Sequence, residues 1–400
     1  MKILLISQYF FPENFKINDL IFSLKQRGHE ITVLTGKPNY PKGDFYDGYS
    51  WNSPEYEIIN NIPVYRSNLF PRGKGGATRL FLNYISFALF SSVKLKKIKG
   101  PFDVIFVYQT SPVTVGIPAF FAKKIFKAPI YFWVQDLWPE SLKAAGGINN
   151  IFILGFFNIL TKWIYRNSRK VLVQSEGFRK YILNQGIKND KIIFYPNPTE
   201  DIYKPLKGVK QYKEFFKDNF FNIVFAGNIG EAQSFDTIIE AINNIKRLNV
   251  KVIVLGDGRY KETALSLIKE RGLESQFNFI GSYPPTEMPK FFSHSDALLV
   301  SLKKSKIFSL TIPAKVQSYL ACGKPIIASI DGYGAKIVVD AKCGVVSPAD
   351  DSNLLSERIK ELMNLDKNKL NEMGSNATYY YKKEFDRKYL LEKLEFIFES

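Results

Sequence analysis

Pro313 and Lys315 open a helix-like stretch, 311–329, that closes on Gly323-Lys324-Pro325. A proline at the mouth of a helix is unremarkable, because its missing N–H would have no intrahelical partner there. A lysine in the first turn is different, since it sits at the positive end of the helix dipole. It makes sense if an anion uses both the helix N-terminus and the ammonium; a solvated lysine on a surface helix is the other reading. Three glycine turns follow strand-like runs in the same half of the chain. They are Gly227-Asn228-Ile229-Gly230, Gly256-Asp257-Gly258-Arg259 and Gly281-Ser282-Tyr283. Glycine lets backbone approach a phosphate closely. A glycine after a strand is often only turn chemistry, but three such loops with the Pro313–Lys315 helix start suggest a nucleotide pocket. None fits a P-loop or the dinucleotide fingerprint, which disfavours NAD.

In the first half, Asp136 follows the apolar run 129–134 and precedes Leu137-Trp138-Pro139-Glu140. It would lie at the cleft floor, beyond the strand's carboxyl end, facing a bound ligand; an N-cap or loop carboxylate is the alternative. Glu13 and Asn14 follow the first strand and would face the same ligand. Glu176 in "QSEGF" reads as a helix-start acid favoured by the dipole. His29 and His294, the only histidines, sit at turn-like positions and read as structural.

These residues need elements to position them. Strand-like runs at 2–7, 31–35, 103–108, 129–134, 169–174 and 191–195 alternate with helical candidates at 16–28, 77–98, 113–126, 150–168 and 175–185. The Pro-rich segment 196–206 reads as a linker. The pattern restarts at 221–226, 251–255, 277–280, 296–301 and 325–329. Apolar strands alternating with helices imply parallel sheets covered on both faces. The expectation is two doubly wound Rossmann-like domains, 1–200 and 201–384, facing across a cleft at their strand carboxyl ends. An amphipathic helix at about 385–400 should pack back on the first.

Composition sets bounds. The chain has 400 residues, 46% of them hydrophobic, with Phe 34 and Tyr 22, normal for a chain with a full core. Two cysteines, Cys322 and Cys343, give neither a disulfide framework nor a metal pattern and fit a reducing cytoplasm. "MKILLISQYF" turns polar too soon for a secretory signal. The charge-free runs 104–122 and 144–161 contain Pro, Gly or Asn and fall short of a spanning helix. The net charge of +17 points to an anionic partner. With lysines dispersed and no nucleic-acid motif, phosphates or a membrane surface are favoured over nucleic acid. Residues 72–99 carry Arg72, Lys74, Arg79, Lys94, Lys96, Lys97 and Lys99 around the charge-free run 80–93, which includes Leu80, Phe81, Tyr84, Phe87 and Phe90. Together with Lys123 and Lys124, this segment reads either as an interfacial helix on anionic lipid or as a helix buried under the first sheet.

The ordered set Phe225-Ala226-Gly227-Asn228-Ile229-Gly230…Gln233, Leu255-Gly256-Asp257-Gly258, Phe279-Ile280-Gly281 and Ile312-Pro313-Ala314-Lys315…Tyr319-Leu320-Ala321-Cys322-Gly323-Lys324-Pro325 resembles a retaining GT-B glycosyltransferase of family 4. "QYFFPE", "RGHEITVLTGKPNYPKG" and "VQDLWPES" resemble the bacterial subgroup that transfers N-acetylated amino sugars such as N-acetyl-L-fucosamine in O-antigen or capsule assembly. The resemblance covers nearly the whole chain. It implies a UDP-sugar donor held by the second domain through Gly227, Asn228, Gly230, Gln233, Asp257, Gly258, Arg259, Ser282, Tyr283, Pro313 and Lys315. It implies a lipid-linked sugar acceptor at Glu13, Asn14, Gln135 and Asp136, with Asp136, Lys315 and Glu13 as catalytic groups. No metal or other cofactor is required. The enzyme would be peripheral at the inner face of the cytoplasmic membrane, with Arg79, Lys94, Lys96 and Lys97 on the lipid.

The sequence departs from the family pattern. Asn228 and Gln233 stand where the family places Arg and Lys, Leu310 and Ser318 where it places two glutamates, and Gln135 where it places His. Lys315 and Arg259 are then the strongest cations left for the diphosphate. Two rivals remain: a UDP-sugar 2-epimerase on a similar scaffold, which would want more titratable groups in its cleft, and a non-catalytic basic scaffold for lipid or nucleic acid.

Overall fold

The computed structural model describes residues 1–73, 76–142 and 150–400. Lys74 of the basic flank and the start of the charge-free run 144–161 lie outside the described residues. The chain forms two compact units, Met1–Pro196 with Leu391–Ser400, and Asn197–Leu390.

The first unit is built on an eight-stranded sheet. Its strands are β1 (Lys2–Ile6), β2 (Glu30–Gly36), β3 (Tyr56–Ile59), β4 (Ile62–Ser67), β5 (Val104–Gln109), β6 (Ile130–Val134), β7 (Lys170–Val173) and β8 (Ile192–Phe194). They lie in the order β3-β4-β2-β1-β5-β6-β7-β8. All neighbours are parallel except β3 and β4. The runs in β1, β5 and β6 are buried along almost their whole length, as strands covered on both faces must be.

The β3–β4 hairpin has no counterpart among the strands expected from sequence. Its turn is Asn60-Asn61, both left-handed (φ 49° and 60°). Two adjacent left-handed residues define the hairpin turn that asparagine tolerates best, so a signal was there in "EIINNIPVY".

The helix Arg387–Glu399 carries Leu391, Leu394, Ile397 and Phe398 into the core of this unit. Glu395 fastens it, accepting from both Arg27 Nε and Nη2 (2.8 and 2.7 Å) and lying 2.8 Å from His29 Nε2. Those contacts hold the Glu395 carboxyl down at about 2. His29 is structural here, reaching the first residue and this helix at once.

The second unit has a six-stranded, wholly parallel sheet. Its strands are β9 (Phe221–Ala226), β10 (Val250–Leu255), β11 (Phe277–Gly281), β12 (Ala297–Ser301), β13 (Ile326–Ser329) and β14 (Gly344–Ser347), in the order β11-β10-β9-β12-β13-β14. In each sheet the strand order reverses beside the unit's first strand, between β1 and β5 and between β9 and β12. Doubly wound sheets take ligands outside the strand carboxyl ends at such a point. Phe225, Phe235, Ile239, Val252 and Leu299 belong to the apolar core that holds β9, β10 and β12 in place.

Candidate functional site

In the second unit, Ala314–Cys322 is a helix with Pro313 at its N-cap rather than its first turn (φ −60°, ψ 131°), and Gly323 ends it in the left-handed region (φ 65°). No side chain caps its N-terminus. Lys315 lies in the first turn. Its Nζ is buried without a hydrogen-bond partner and sits 3.7 Å from the centroid of the Phe225 ring. Burial lowers its pKa to about 7. A cation over a ring face gains some attraction, yet an ammonium with no acceptor is costly to bury.

Gly227 is the reason the ammonium fits. With φ 130°, a Cβ there would stand 2.7 Å from Lys315 Cε and 3.0 Å from Nζ. The glycine loops also pack on one another. A Cβ on Gly256 would meet the Gly227 carbonyl oxygen at 1.9 Å, and one on Gly258 the Ile229 carbonyl oxygen at 2.3 Å. Gly227 N–H donates to Leu255 O, Ile229 N–H to Asp257 O and Gly256 N–H to Gly281 O, each 2.8 Å. Gly256 and Gly258 therefore serve backbone-on-backbone packing first.

Gln233 Oε1 accepts from Gly230 N–H (3.0 Å) and faces Asn228 Nδ2 at 3.3 Å, which ties the loop after β9 into a closed turn. Gly227, Asn228, Gly230, Gln233, Pro313 and Lys315 thus come together beyond the end of β9. Asp257 and Gly258 lie on the adjoining turn. Asp257 accepts from Gly258 N–H and pairs with Lys261, and Arg259 is exposed. Ser282 and Tyr283 follow β11, two strands from β9. Tyr283 packs into a ring cluster with Phe291 (4.8 Å) and Tyr212 (5.5 Å), so its ring is already in use.

Sequence reasoning passed over Lys303, Lys304 and Lys306. They follow β12, on the far side of the strand-order reversal, and Lys303 N–H donates to Ala232 O in the 230–233 turn. A lysine run directly after a buried strand was the available signal.

In the first unit, Gln135 and Asp136 follow β6. Gln135 is buried and Asp136 half-buried. Burial raises the Asp136 carboxyl to about 7. Gln109 Nε2 donates to the Asp136 carbonyl (3.1 Å) and Gln135 N–H to Gln109 O (2.8 Å), so the end of β5 fixes this turn.

Glu13 and Asn14, beyond β1, separate from one another. Asn14 is exposed. Glu13 is fully buried, with Oε1 accepting from Asn39 and Tyr40 N–H (2.9 and 2.8 Å) and Oε2 from Phe10 N–H (3.4 Å). The expectation that Glu13 faces a substrate is corrected: its oxygens are spent on backbone, and it positions the turn after β2. Burial raises its pKa to about 7 against those hydrogen bonds. Folded protein then holds a proton that unfolded chain releases between about 4.5 and 7, so stability falls as pH rises through that window. Glu13→Ala leaves two well-formed N–H donors without an acceptor. At ~1–3 kcal/mol per unsatisfied group, a lowered denaturant midpoint is expected, whereas Glu13→Gln should stay near wild type and lose the pH dependence.

The basic segment around the helix Ala77–Lys94 also needs correction. Lys94 is buried and ion-paired with Glu55, and Lys97 reaches the same carboxylate at 3.2 Å. Tyr84 and Phe87 are core residues. Arg79, Lys96, Phe81 and Phe90 are exposed. The helix is therefore one that covers the sheet, with Lys94 in a structural pair. Among the described residues, no helix is long and apolar enough to cross a membrane, and no group of three or more His, Cys, Asp or Glu is placed to hold a metal.

Comparison with known proteins bears on both units. Residues 16–198 match the family described as glycosyl transferase 4-like domain, and residues 209–379 match glycosyl transferases group 1. The chain is a GT-B glycosyltransferase. WcaI of Escherichia coli K12, named for colanic acid biosynthesis as a glycosyl transferase, is 24% identical over 83% of this chain and 84% of its own. Among solved structures, Anabaena HepE in complex with UDP superposes with a TM-score of 0.74 at 15% identity over the whole of both chains. Sucrose-phosphate synthase of Thermosynechococcus elongatus gives 0.76 at 16% identity, over all of this chain and 98% of its own. The transferase thus has the two-domain Rossmann-like architecture of these neighbours, and polysaccharide biosynthesis is the setting of its relatives.

Proposed function

We propose that this glycosyltransferase moves an N-acetylamino-deoxyhexose, with retention, from a UDP donor to a polyprenyl-diphosphate-linked sugar in surface polysaccharide assembly, at the inner face of the cytoplasmic membrane. The observation that carries the donor half is the partnerless Lys315 ammonium beside Gly227 at an uncapped helix N-terminus. A diphosphate supplies the counter-charge that ammonium lacks, and the helix adds N–H donors. HepE, a structural neighbour, is described in complex with UDP. The "VQDLWPES" segment and its companions support the amino-sugar and lipid-acceptor parts.

In this reading the second unit holds the donor and the first the acceptor. As the glycosidic bond breaks, charge grows on the departing diphosphate. Lys315 and the helix N-terminus stabilise that charge, the kind of term that dominates such transition states. In the first unit, Asp136 is the carboxylate that orders the acceptor. The departing phosphate takes the acceptor hydroxyl's proton, so no separate base is called for. Asn228 and Gln233 act as neutral donors, and Lys303, Lys304 and Lys306 add positive potential from the neighbouring strand end.

The test is ligand-induced stabilisation across UDP, GDP, NAD and a panel of UDP-sugars. A shift for UDP that exceeds those for GDP and NAD is expected. Equal or larger stabilisation by GDP would reassign the donor nucleotide, and by NAD would remove the transfer reading.

A further inference from the structure

The helices Gly116–Phe126 and Ile151–Asn167 both end at the amino-terminal edge of the first sheet, opposite the edge that carries Asp136. Between their ends and the starts of β6, β7 and β8 lies a cavity of about 910 Å³. Seven cations line it and one carboxylate, Asp190. Lys123, Lys124 and Lys127 come from the first helix end, and Arg166 and Arg169 from the second. Lys170 and Lys191 stand at the strand starts.

A cation in a last helical turn is favoured by the dipole, which accounts for Lys123, Lys124 and Arg166 and leaves the other four. The bonds that the three lysines at the centre make do not neutralise them. Lys123 Nζ donates to Asn167 O (2.7 Å), Lys170 Nζ to the Asp190 carbonyl (2.9 Å), and Lys191 Nζ to the carbonyls of Arg166 and Ser168 (2.8 and 3.0 Å). Internal carbonyls orient an ammonium without cancelling its charge. Arg169 reaches an oxygen of Ser400 (3.0 Å) and is not counted with them. Among the described residues, no side-chain carboxylate lies within ion-pair distance of any of the seven. Burial, with Lys123, Lys188 and Arg169 nearby, accordingly holds the Lys191 ammonium below its usual range.

An apolar stripe runs up to this cluster. On the helix Ile151–Asn167, Phe152, Phe156, Ile159 and Trp163 recur at helical spacing on one face, and all are exposed, Phe156 by 58% and Ile159 by 70%. Phe121 and Ile125 on the neighbouring helix are exposed too. Phe120 joins stripe and pocket, with its ring 4.5 Å from Trp163 and Lys124 Nζ 4.6 Å from its centroid. An exposed stripe of this kind marks an interaction surface.

We propose that this face of the first unit docks on an anionic phospholipid surface, with phosphate headgroups in the seven-cation pocket and the Phe156–Ile159–Trp163 stripe in the acyl boundary. Charge complementarity selects anionic headgroups. The aliphatic and aromatic stripe beside the cations selects a bilayer over a free phosphate, since amphipathic surface helices bind by exactly this pairing of apolar area and basic flank. The inference rests on the peripheral-membrane part of the proposed function. It moves the contact away from Lys94, which is buried in its pair with Glu55.

The test is co-sedimentation of the full chain with phosphatidylcholine vesicles, with and without phosphatidylglycerol. Wild type should bind only where phosphatidylglycerol is present, and lose binding as salt rises. The triple variant Lys124→Glu, Arg166→Glu, Arg169→Glu changes exposed side chains only and should lose at least tenfold in partitioning. Phe156→Ser with Ile159→Ser should lose a similar factor. The conservative set Lys124→Arg, Arg166→Lys, Arg169→Lys should restore wild-type binding. A single cooperative melt in each variant verifies folding, and the UDP-induced shift should not change. Wild-type partitioning by either loss variant overturns the proposal, as does equal binding to vesicles lacking phosphatidylglycerol. Tight binding of heparin with no vesicle binding would overturn it in favour of a soluble polyanion. A wild type that binds vesicles but shows no UDP shift would instead overturn the donor reading alone.

Discussion

Lys315→Ala should weaken UDP binding roughly ten- to hundredfold, the worth of a charge-assisted contact at ~1.5–3 kcal/mol, in a protein that still melts cooperatively. The expected pH dependence is more telling than the loss. In the free protein, burial brings Lys315 to about 7; a bound diphosphate favours the charged form and raises that value. Above pH 7, binding must therefore take up a proton, and UDP affinity should fall as pH rises from 7 until the raised value is passed. Calorimetry in buffers of different ionisation enthalpy reads the proton directly. Lys315→Arg, charged at every accessible pH, should flatten the profile. The free protein carries the converse signature. Between about 7 and 10.5 the unfolded chain binds a proton that the folded one has shed, so ligand-free stability should rise with pH across that window, and UDP should shrink the rise. A wild-type pH profile in folded Lys315→Ala would remove this ammonium from the donor site.

Asp136→Asn should lower kcat by about a hundred- to a thousandfold, the range seen when one electrostatic group is taken from a preorganised site, with UDP binding left near wild type. The side chain keeps its shape and the Gln109 contact to the Asp136 carbonyl, so geometry alone predicts little change. With its carboxyl raised to about 7 by burial, Asp136 gains charge as pH rises through 7, while Lys315 loses it. The profile of kcat/KM for the donor should then be a bell centred near neutrality. Asp136→Asn should remove the acidic limb and Lys315→Arg the basic one. An acidic limb that survives in Asp136→Asn would assign that titration elsewhere.

Much of the fold was legible because buried parallel strands are near-continuous apolar runs, and "KILLI" or "VIVL" admits few other readings. The β3–β4 pair was missed because β3 alternates between exposed and half-buried, β4 carries Pro63 and Arg66, and the turn lacks glycine. The gathering of the glycine turns around Lys315 was legible in outline, since glycine turns and a first-turn lysine are visible in the text. That Gly256 and Gly258 make room for neighbouring carbonyls was not, because such approaches depend on backbone from two loops at once. Glu13 shows the limit from the other side. A carboxylate just past a strand end looks like a substrate ligand until its partners, the N–H groups of Asn39 and Tyr40, are located 26 and 27 positions away. Lys94 was misjudged likewise, its carboxylate partner Glu55 belonging to a distant loop.

The return of the helix Arg387–Glu399 to the first unit has a consequence for how the protein is made. A ribosome releases Met1–Pro196 first, yet Leu394, Ile397 and Phe398 of that unit's core emerge only after all of 197–390 has been translated. Domains ordinarily fold in the order of synthesis. Here the first half must wait without the Phe398 ring, which packs 5.1 Å from Tyr131 and 5.2 Å from Phe106, while the second half, contiguous in the chain, is free to complete itself. The later-made second unit is thus the natural first folder, and the nascent first unit is the part with apolar surface to shield.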